Sequence, residues 1–200
     1  MFRLDNILER WAEIYRPLQH DPSVESVRRT YFRISMIDQQ SYFVRNFNTQ
    51  PSPCMAYATH PDADLGVNPN QITYQHFVYF LVKQQNVPSK NDVTDEIAAT
   101  EARYECDEHC QNLLAFLDAM RTAANNGSRQ VEIAGHVFYI SSEDRQGLRG
   151  LQLEKAHWNT MPSKYNGWQL CGLTFDQLVP RTLCIKPADY LSPPDDDSSE

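Results

Sequence analysis

Apolar residues in the first 16 positions recur every three or four, at Phe2, Leu4, Ile7, Leu8, Trp11, Ile14 and Tyr15, with acids and arginines in the gaps. This period predicts an amphipathic helix over residues 1–16, ended by Pro17. His20 to Ser26 reads as a connection. From Arg28 the period shortens to two, with Phe32, Ile34 and Met36 on one side and Arg33 and Ser35 between them, as in a half-buried strand. Residues 38–53 hold Asn46, Asn48 and the Pro51-Ser-Pro53 punctuation and are expected to form a loop or bent extension. Cys54 to Thr59 is a short strand candidate, and His60-Pro-Asp-Ala-Asp-Leu-Gly follows it as a turn.

The strongest strand signal is Gln71 to Lys83. Ile72, Tyr74, His76, Val78, Phe80 and Val82 alternate with a second row that is itself apolar towards the end, so the strand is expected to be central and covered on both faces. Asp92 or Thr94 is placed to cap a helix over residues 94–124, whose buried stripe is Cys106, Cys110, Leu113, Leu114, Leu117, Met120 and Ala124; Asn125-Asn126-Gly127 stops it. Three strand-like pieces follow: Val131 to Ile140, Leu151 to Trp158 and Gly167 to Val179, separated by turn signals at Asp144 to Gly147, Pro162 and Asn166-Gly167. In the last piece Cys171, Leu173 and Phe175 form the core row, while Trp168 and Leu170 seal the other face. The predicted fold class is α+β, a mixed or antiparallel sheet packed against one long helix, with an N-terminal helix.

Length and composition agree with this outline. A chain of 200 residues, 41% apolar and 22% charged, is long enough for one core. We expect a single domain over residues 1–190 and an acidic disordered tail over 191–200. Asp195, Asp196, Asp197 and Glu200 supply four charges of the formal −8, leaving about −4 for the rest (−8 + 4), an ordinary value. Such a balance disfavours a protein that wraps nucleic acid, which wants a concentrated positive field. No run approaches the ~20 apolar residues of a membrane span, and the start of the chain lacks a secretory pattern. Five cysteines, at 54, 106, 110, 171 and 184, are an odd number without framework spacing, as in a reducing cytosolic setting.

Candidate chemistry is sparse. Cys106 and Cys110 lie one helical turn apart with His109 beside them, a spacing that would suit two zinc ligands, but both fall on the apolar stripe and no paired thiols elsewhere complete a site. His60, Asp62 and Asp64 offer donors within a turn whose composition needs no cation. Glu154 and Lys155 are adjacent and so face opposite ways, where a nuclease centre would want acid and amine on one face. His76, His136 and His157 lack a recognisable nucleophilic partner, and the glycines are too dispersed for a phosphate loop. Arg28, Arg29 and Arg33 around Tyr31 and Phe32 resemble a small nucleic-acid patch, but suit acids on a neighbouring subunit better.

The order helix, strand group, long helix, final strand pair over residues 1–185, closing on Trp168 to Cys184, resembles the tail-terminator and neck-completion (minor tail) proteins of tailed bacteriophages and related contractile particles. This resemblance implies a structural assembly protein, forming or completing a ring commonly of six copies at the end or neck of a tail. It also implies that the chain is not an enzyme and takes no cofactor. The partners implied are further copies and tail-tube, sheath or neck proteins, with no membrane and no direct nucleic-acid binding, and the product is a virion component assembled in the host cytoplasm. Because interfaces draw on Arg, Tyr and Phe, the expected interface residues are Arg28, Arg29, Tyr31, Arg33, Phe43, Phe47 and Tyr57. Two alternatives stand beside it: a metal-dependent hydrolase or nuclease using His60, Asp62 and Glu154, and a small nucleic-acid-binding module using Arg28, Arg29 and Arg33.

Overall fold

A computed structural model describes residues 4–23, 28–34, 51–62, 71–84, 92–161 and 168–180. Helix α1 (Leu4–Ile14) is followed by strands β1 (Tyr31–Arg33), β2 (Cys54–Asp62) and β3 (Gln71–Lys83), then by the 34-residue helix α2 (Asp92–Asn125). A hairpin of β4 (Gln130–Ile133) and β5 (His136–Tyr139), a short helix α3 (Ser142–Arg149) and strands β6 (Leu151–Met161) and β7 (Trp168–Pro180) complete the order. The chain is α+β, as its patterning predicts. The main sheet is mixed: its five strands run β1-β2-β3-β7-β6, parallel between β1 and β2 and antiparallel elsewhere.

Strands β3 and β7 pair along all thirteen residues, from Gln71 opposite Pro180 to Lys83 opposite Trp168, and form the middle of the sheet. Alternation along them creates two unlike faces. One carries Val78, Phe80, Val82, Cys171, Leu173 and Phe175, together with Met55 and Tyr57 from β2, and all three helices pack into this cluster. Helix α2 presents Ala102, Cys106, Cys110, Leu113, Leu117, Met120 and Ala124 to it, a stripe at helical spacing. The other face carries a smaller cluster of Ile34, Cys54, Ala56, Ala58, Leu81 and Trp168, to which none of the described helix residues contributes. Trp168 is buried there, as the alternating rows imply.

Trp11 of α1 is the hub between the layers. It stacks on Tyr15 at 4.4 Å and meets the rings of Phe80 and Phe116, each at 6.1 Å. Phe116 continues to Phe138 of the hairpin at 5.1 Å, and Arg10 lies 5.0 Å over the Phe138 ring while donating to the Val137 carbonyl at 2.9 Å. The hairpin is thereby fastened to α1 at a point remote from it in sequence.

Three local expectations change. Val131 to Ile140 is not one strand but two, because Ala134 (φ 52°) and Gly135 (φ 80°) both adopt left-handed conformations and reverse the chain in a two-residue turn. Asp144 to Gly147 is not a turn but part of α3, started by a capping box in which the Ser141 hydroxyl accepts from the Asp144 N–H while the Asp144 carboxylate accepts from Ser141 N–H. His60 to Asp62 extend β2 rather than turning away from it. By contrast, the stop at Gly127 stands: it lies at φ 76°, and Ser128 N–H reaches back to the Ala123 carbonyl at 2.9 Å, closing the end of α2.

Gly150 marks the tightest backbone approach, where α3 gives way to β6 and Leu178 N–H donates to the Gly150 carbonyl at 2.9 Å. A Cβ at this position would run into the Leu178 carbonyl, which is backbone and has little room to yield. Gly150→Ala is therefore expected to lower stability by about 1–3 kcal/mol, seen as a lower urea midpoint with an unchanged slope. An unchanged midpoint would show that the two backbone segments separate freely.

Candidate functional site

A cavity of about 560 Å3 opens between α1 and strands β1, β2, β3 and β7. Leu4, Ile34, Ala58 and Val179 give it apolar walls, and Asp5, Arg33, Tyr57, Thr59, Tyr74, His76 and Gln177 supply its polar atoms. His76 sits in the otherwise apolar row Val78, Phe80, Val82, so β3 carries its imidazole into the core, where it is 3% exposed. The ring is fully used. Gln177 donates its amide to the Gly147 carbonyl at 2.8 Å, which leaves its oxygen to accept from His76 Nε2 at 3.1 Å; His76 Nδ1 then accepts from the Tyr57 hydroxyl at 2.8 Å. This relay crosses β2, β3, β7 and α3 and fixes the tautomer with its proton on Nε2.

Burial drives the His76 pKa down to about 4, against the pull of the Gln177 hydrogen bond, so the ring is neutral at physiological pH. Burial likewise raises the Tyr57 phenol. Arg33 brings a cation to the rim, but Asp5 at 2.7 Å and Glu9 at 3.0 Å neutralise it. The recess is thus a partly open pocket in whose floor Tyr57, His76 and Gln177 are already hydrogen-bonded to one another. It can hold a side chain or a small apolar group; it does not present a free base, acid or nucleophile among these lining residues.

The residues expected at an interface separate on this framework. Arg28 and Arg29 are exposed, and Arg28 donates to Gln19 at 2.9 Å. Arg33 meets acids as expected of its strand face, but these are Asp5 and Glu9 of its own α1. Tyr31 and Tyr57 are corrections: both point into the core, 3% and 5% exposed, and Tyr31 O–H donates to the Asp5 carbonyl. Their strand positions face α1, so neither forms an outer surface. Phe43 and Phe47 lie outside the described residues.

The chemical candidates also disperse. Cys106 and Cys110 are fully buried on the sheet-facing stripe, and His109 is buried beside them, accepting from the Tyr15 hydroxyl at 2.9 Å and edge-on to that ring. Its other nitrogen faces the Glu105 carboxylate at 3.5 Å. Burial nevertheless dominates and brings the His109 pKa down to about 4. His60 and Asp62 belong to β2, while Asp64 lies outside the described residues. Glu154 is engaged with Arg121 at 2.8 Å. His136 and His157 are exposed, on β5 and β6 respectively. Among the described residues, no group of three or more His, Cys, Asp or Glu side chains is placed to hold a metal ion, and no helix is long and apolar enough to cross a membrane.

No protein-family model matches the chain, and no curated protein matches its sequence.

The buried histidines make the fold acid-sensitive. His76 and His109 bind a proton in the unfolded chain from pH 6.5 downward and in the folded chain only near pH 4. The unfolded state therefore holds more protons throughout that window, so stability is constant above it, falls as pH drops through it and levels off below. The expected loss at pH 4.5 is about 2–3 kcal/mol for each histidine. His20, whose pKa is also lowered by burial, acts in the same direction. Urea titrations at pH 7.5 and 4.5 measure this, and His76→Gln should remove part of the difference; a flat profile would refute the buried neutral rings.

Proposed function

We propose that the chain is a structural assembly subunit of the tail-terminator or neck-completion kind, which works by joining further copies and particle components rather than by catalysis. The observation that carries this reading is the outer edge of β6. Natural sheets guard their edges with charges, bulges or short strands. At β1 the edge strand has only three residues. In β6 the first half is guarded as well, by Glu154 and Lys155 and by an irregularity between Gln152 and His157. From His157 to Met161 the strand pairs regularly with β7, carries no Asp, Glu, Lys or Arg, and shows Trp158 44% exposed. β6 is the last strand in the described sheet order, so this stretch offers backbone groups and an indole together.

Exposed Tyr139 and Val137 on the hairpin and Tyr104 and Ile97 on α2 provide further apolar contacts. A join between copies by unlike surfaces needs such separate patches, and rings are built from joins of that kind. Arg29 is exposed and can serve as a rim charge. Aromatic residues and arginine are the side chains interfaces favour.

Size-exclusion chromatography with light scattering tests the reading. The native protein is expected to run above its 23.1 kDa monomer mass in a concentration-dependent way. Trp158→Glu is expected to shift it to the monomer with unchanged circular dichroism, because a charge on the open edge opposes pairing. A protein that stays monomeric at every concentration and binds no tail or neck component would overturn the proposal.

A further inference from the structure

A pair of buried thiols links the long helix to the central sheet, and it stands apart from any question of how copies assemble. Cys110 on α2 and Cys171 on β7 are 61 positions apart in sequence, both 0% exposed, with their sulfurs 3.2 Å from each other. The contact has a direction. Cys110 S–H points at the Cys171 sulfur, Cys171 points at Asp107 Oδ1 at 3.7 Å, and the Thr160 hydroxyl donates to the same carboxylate oxygen at 2.9 Å. Asp107 is thus placed to take the proton of Cys171 while the Cys110 S–H supports the sulfur left behind. The hydrogen bond from Cys110 lowers the Cys171 pKa, against burial and the Asp107 carboxylate, which raise it, and the same contact raises that of Cys110.

The neighbouring thiols differ. Cys106 is turned towards the carbonyls of Phe80 at 3.8 Å and Gln169 at 3.7 Å, and burial raises its pKa. Cys54 belongs to the cluster on the opposite face of the sheet, and burial raises its pKa to about 12. Among the described cysteines, only the 110/171 pair combines sulfur contact with a proton acceptor. A cavity of about 280 Å3 is lined by Thr100, Arg103, Thr160 and Gln169, so Thr160 has one side on the cavity and its hydroxyl on Asp107.

We propose that Cys110 and Cys171 are a redox-controlled pair that closes to a disulfide and staples α2 to β7 when a peroxide reaches Cys171. In the first step the Cys171 thiolate attacks the peroxide O–O bond, forming Cys171–SOH and releasing water once the proton held at Asp107 is returned. In the second, the Cys110 thiol displaces the hydroxyl as a second water and the S–S bond forms. Two electrons pass from the sulfurs to the peroxide, and both its oxygens leave as water. Closing the contact to a bond length of about 2.05 Å requires the sulfurs to approach by roughly 1 Å, within the reach of side-chain rotation. A reductant of the thiol class reverses the step.

The test uses the full chain, treated with hydrogen peroxide or left reduced, then alkylated and digested without reductant for mass spectrometry. A Cys110–Cys171 linked peptide is expected, with titratable thiols falling from the five of the sequence to three. The melting temperature should rise by roughly 5–15 °C and return on treatment with dithiothreitol. Cys110→Ala and Cys171→Ala, with the matching serine variants as a second pair, should lose both the link and the thermal shift. Linked peptides joining other cysteines, or sulfinic and sulfonic acids without a link, would overturn the proposal; so would five thiols persisting after peroxide has oxidised exposed methionine in the same sample.

Discussion

The fold depends on one contact, the buried stripe of α2 against the strand pair β3–β7. These strands are the longest in the sheet and pair over their whole length. Their helix-facing row matches the helical stripe from Ala102 to Ala124, and Phe80, Leu113, Leu117, Met120 and Leu173, among the largest fully buried side chains, belong to this seam. Burying each such side chain contributes about 1.5–3 kcal/mol, so a handful of them rivals the net stability of an ordinary domain. The remaining elements attach to this seam: α1 through Trp11 on Phe80 and Phe116, the hairpin through Phe138 on Phe116, and α3 through the bonds of Arg149 to the Ala124 carbonyl and of Gln177 to Gly147.

Apolar burial alone would leave the seam free to slide, since one leucine contact resembles the next. Polar groups inside it remove that freedom. The chain Tyr57, His76, Gln177, Gly147 joins four elements, and a shift of any one strand would strand a buried donor or acceptor at a cost of about 1–3 kcal/mol. His20 does the same at the start of β1, where its Nδ1 accepts from the N–H groups of Thr30 and Tyr31 at 3.1 Å each. Position is bought at the expense of acid tolerance, because each of these rings must remain neutral to keep its bonds.

Much of this was legible from periodicity. Gln71 to Lys83 alternates so consistently that both ends of β3 are found where the pattern places them, and the row Cys171, Leu173, Phe175 faces the core as its spacing requires. Helix α2 is likewise announced by its stripe and its Asn-Asn-Gly stop. The losses have local causes. The hairpin turn uses Ala134 rather than the Asn or Asp that usually marks a left-handed first position, and α3 is too short and polar to show a period. Its capping signal, Ser141 followed three places later by Asp144, was present in the chain but is weak without a hydrophobic run. The site was less legible still. That Tyr31 and Arg33 share a face follows from alternation; that α1 occupies this face, burying Tyr31 and supplying Asp5 and Glu9 to Arg33, is a tertiary fact that no window of sequence contains.

The same geometry shapes the assembly proposal. Helix α2 is about 50 Å long at 1.5 Å per residue, whereas a thirteen-residue strand spans about 43 Å. Ala102 is buried and Ile97 and Thr100 before it are exposed, while Ala99 and Thr100 share a cavity with Thr160 of β6 and Gln169 of β7. The sheet itself is unequal at its two ends, with a three-residue strand at one and an eleven-residue strand at the other. A subunit with unlike ends cannot join a copy of itself through the same surface unless β6 meets β6 about a two-fold axis. Joins by unlike surfaces instead add copies in one direction, and they close into a ring only if the rotation per copy divides the circle. With a formal charge of −8, copies repel at long range, so any such join must draw its strength from short-range contacts such as Trp158 and the open edge, and it should tighten as salt screens the repulsion.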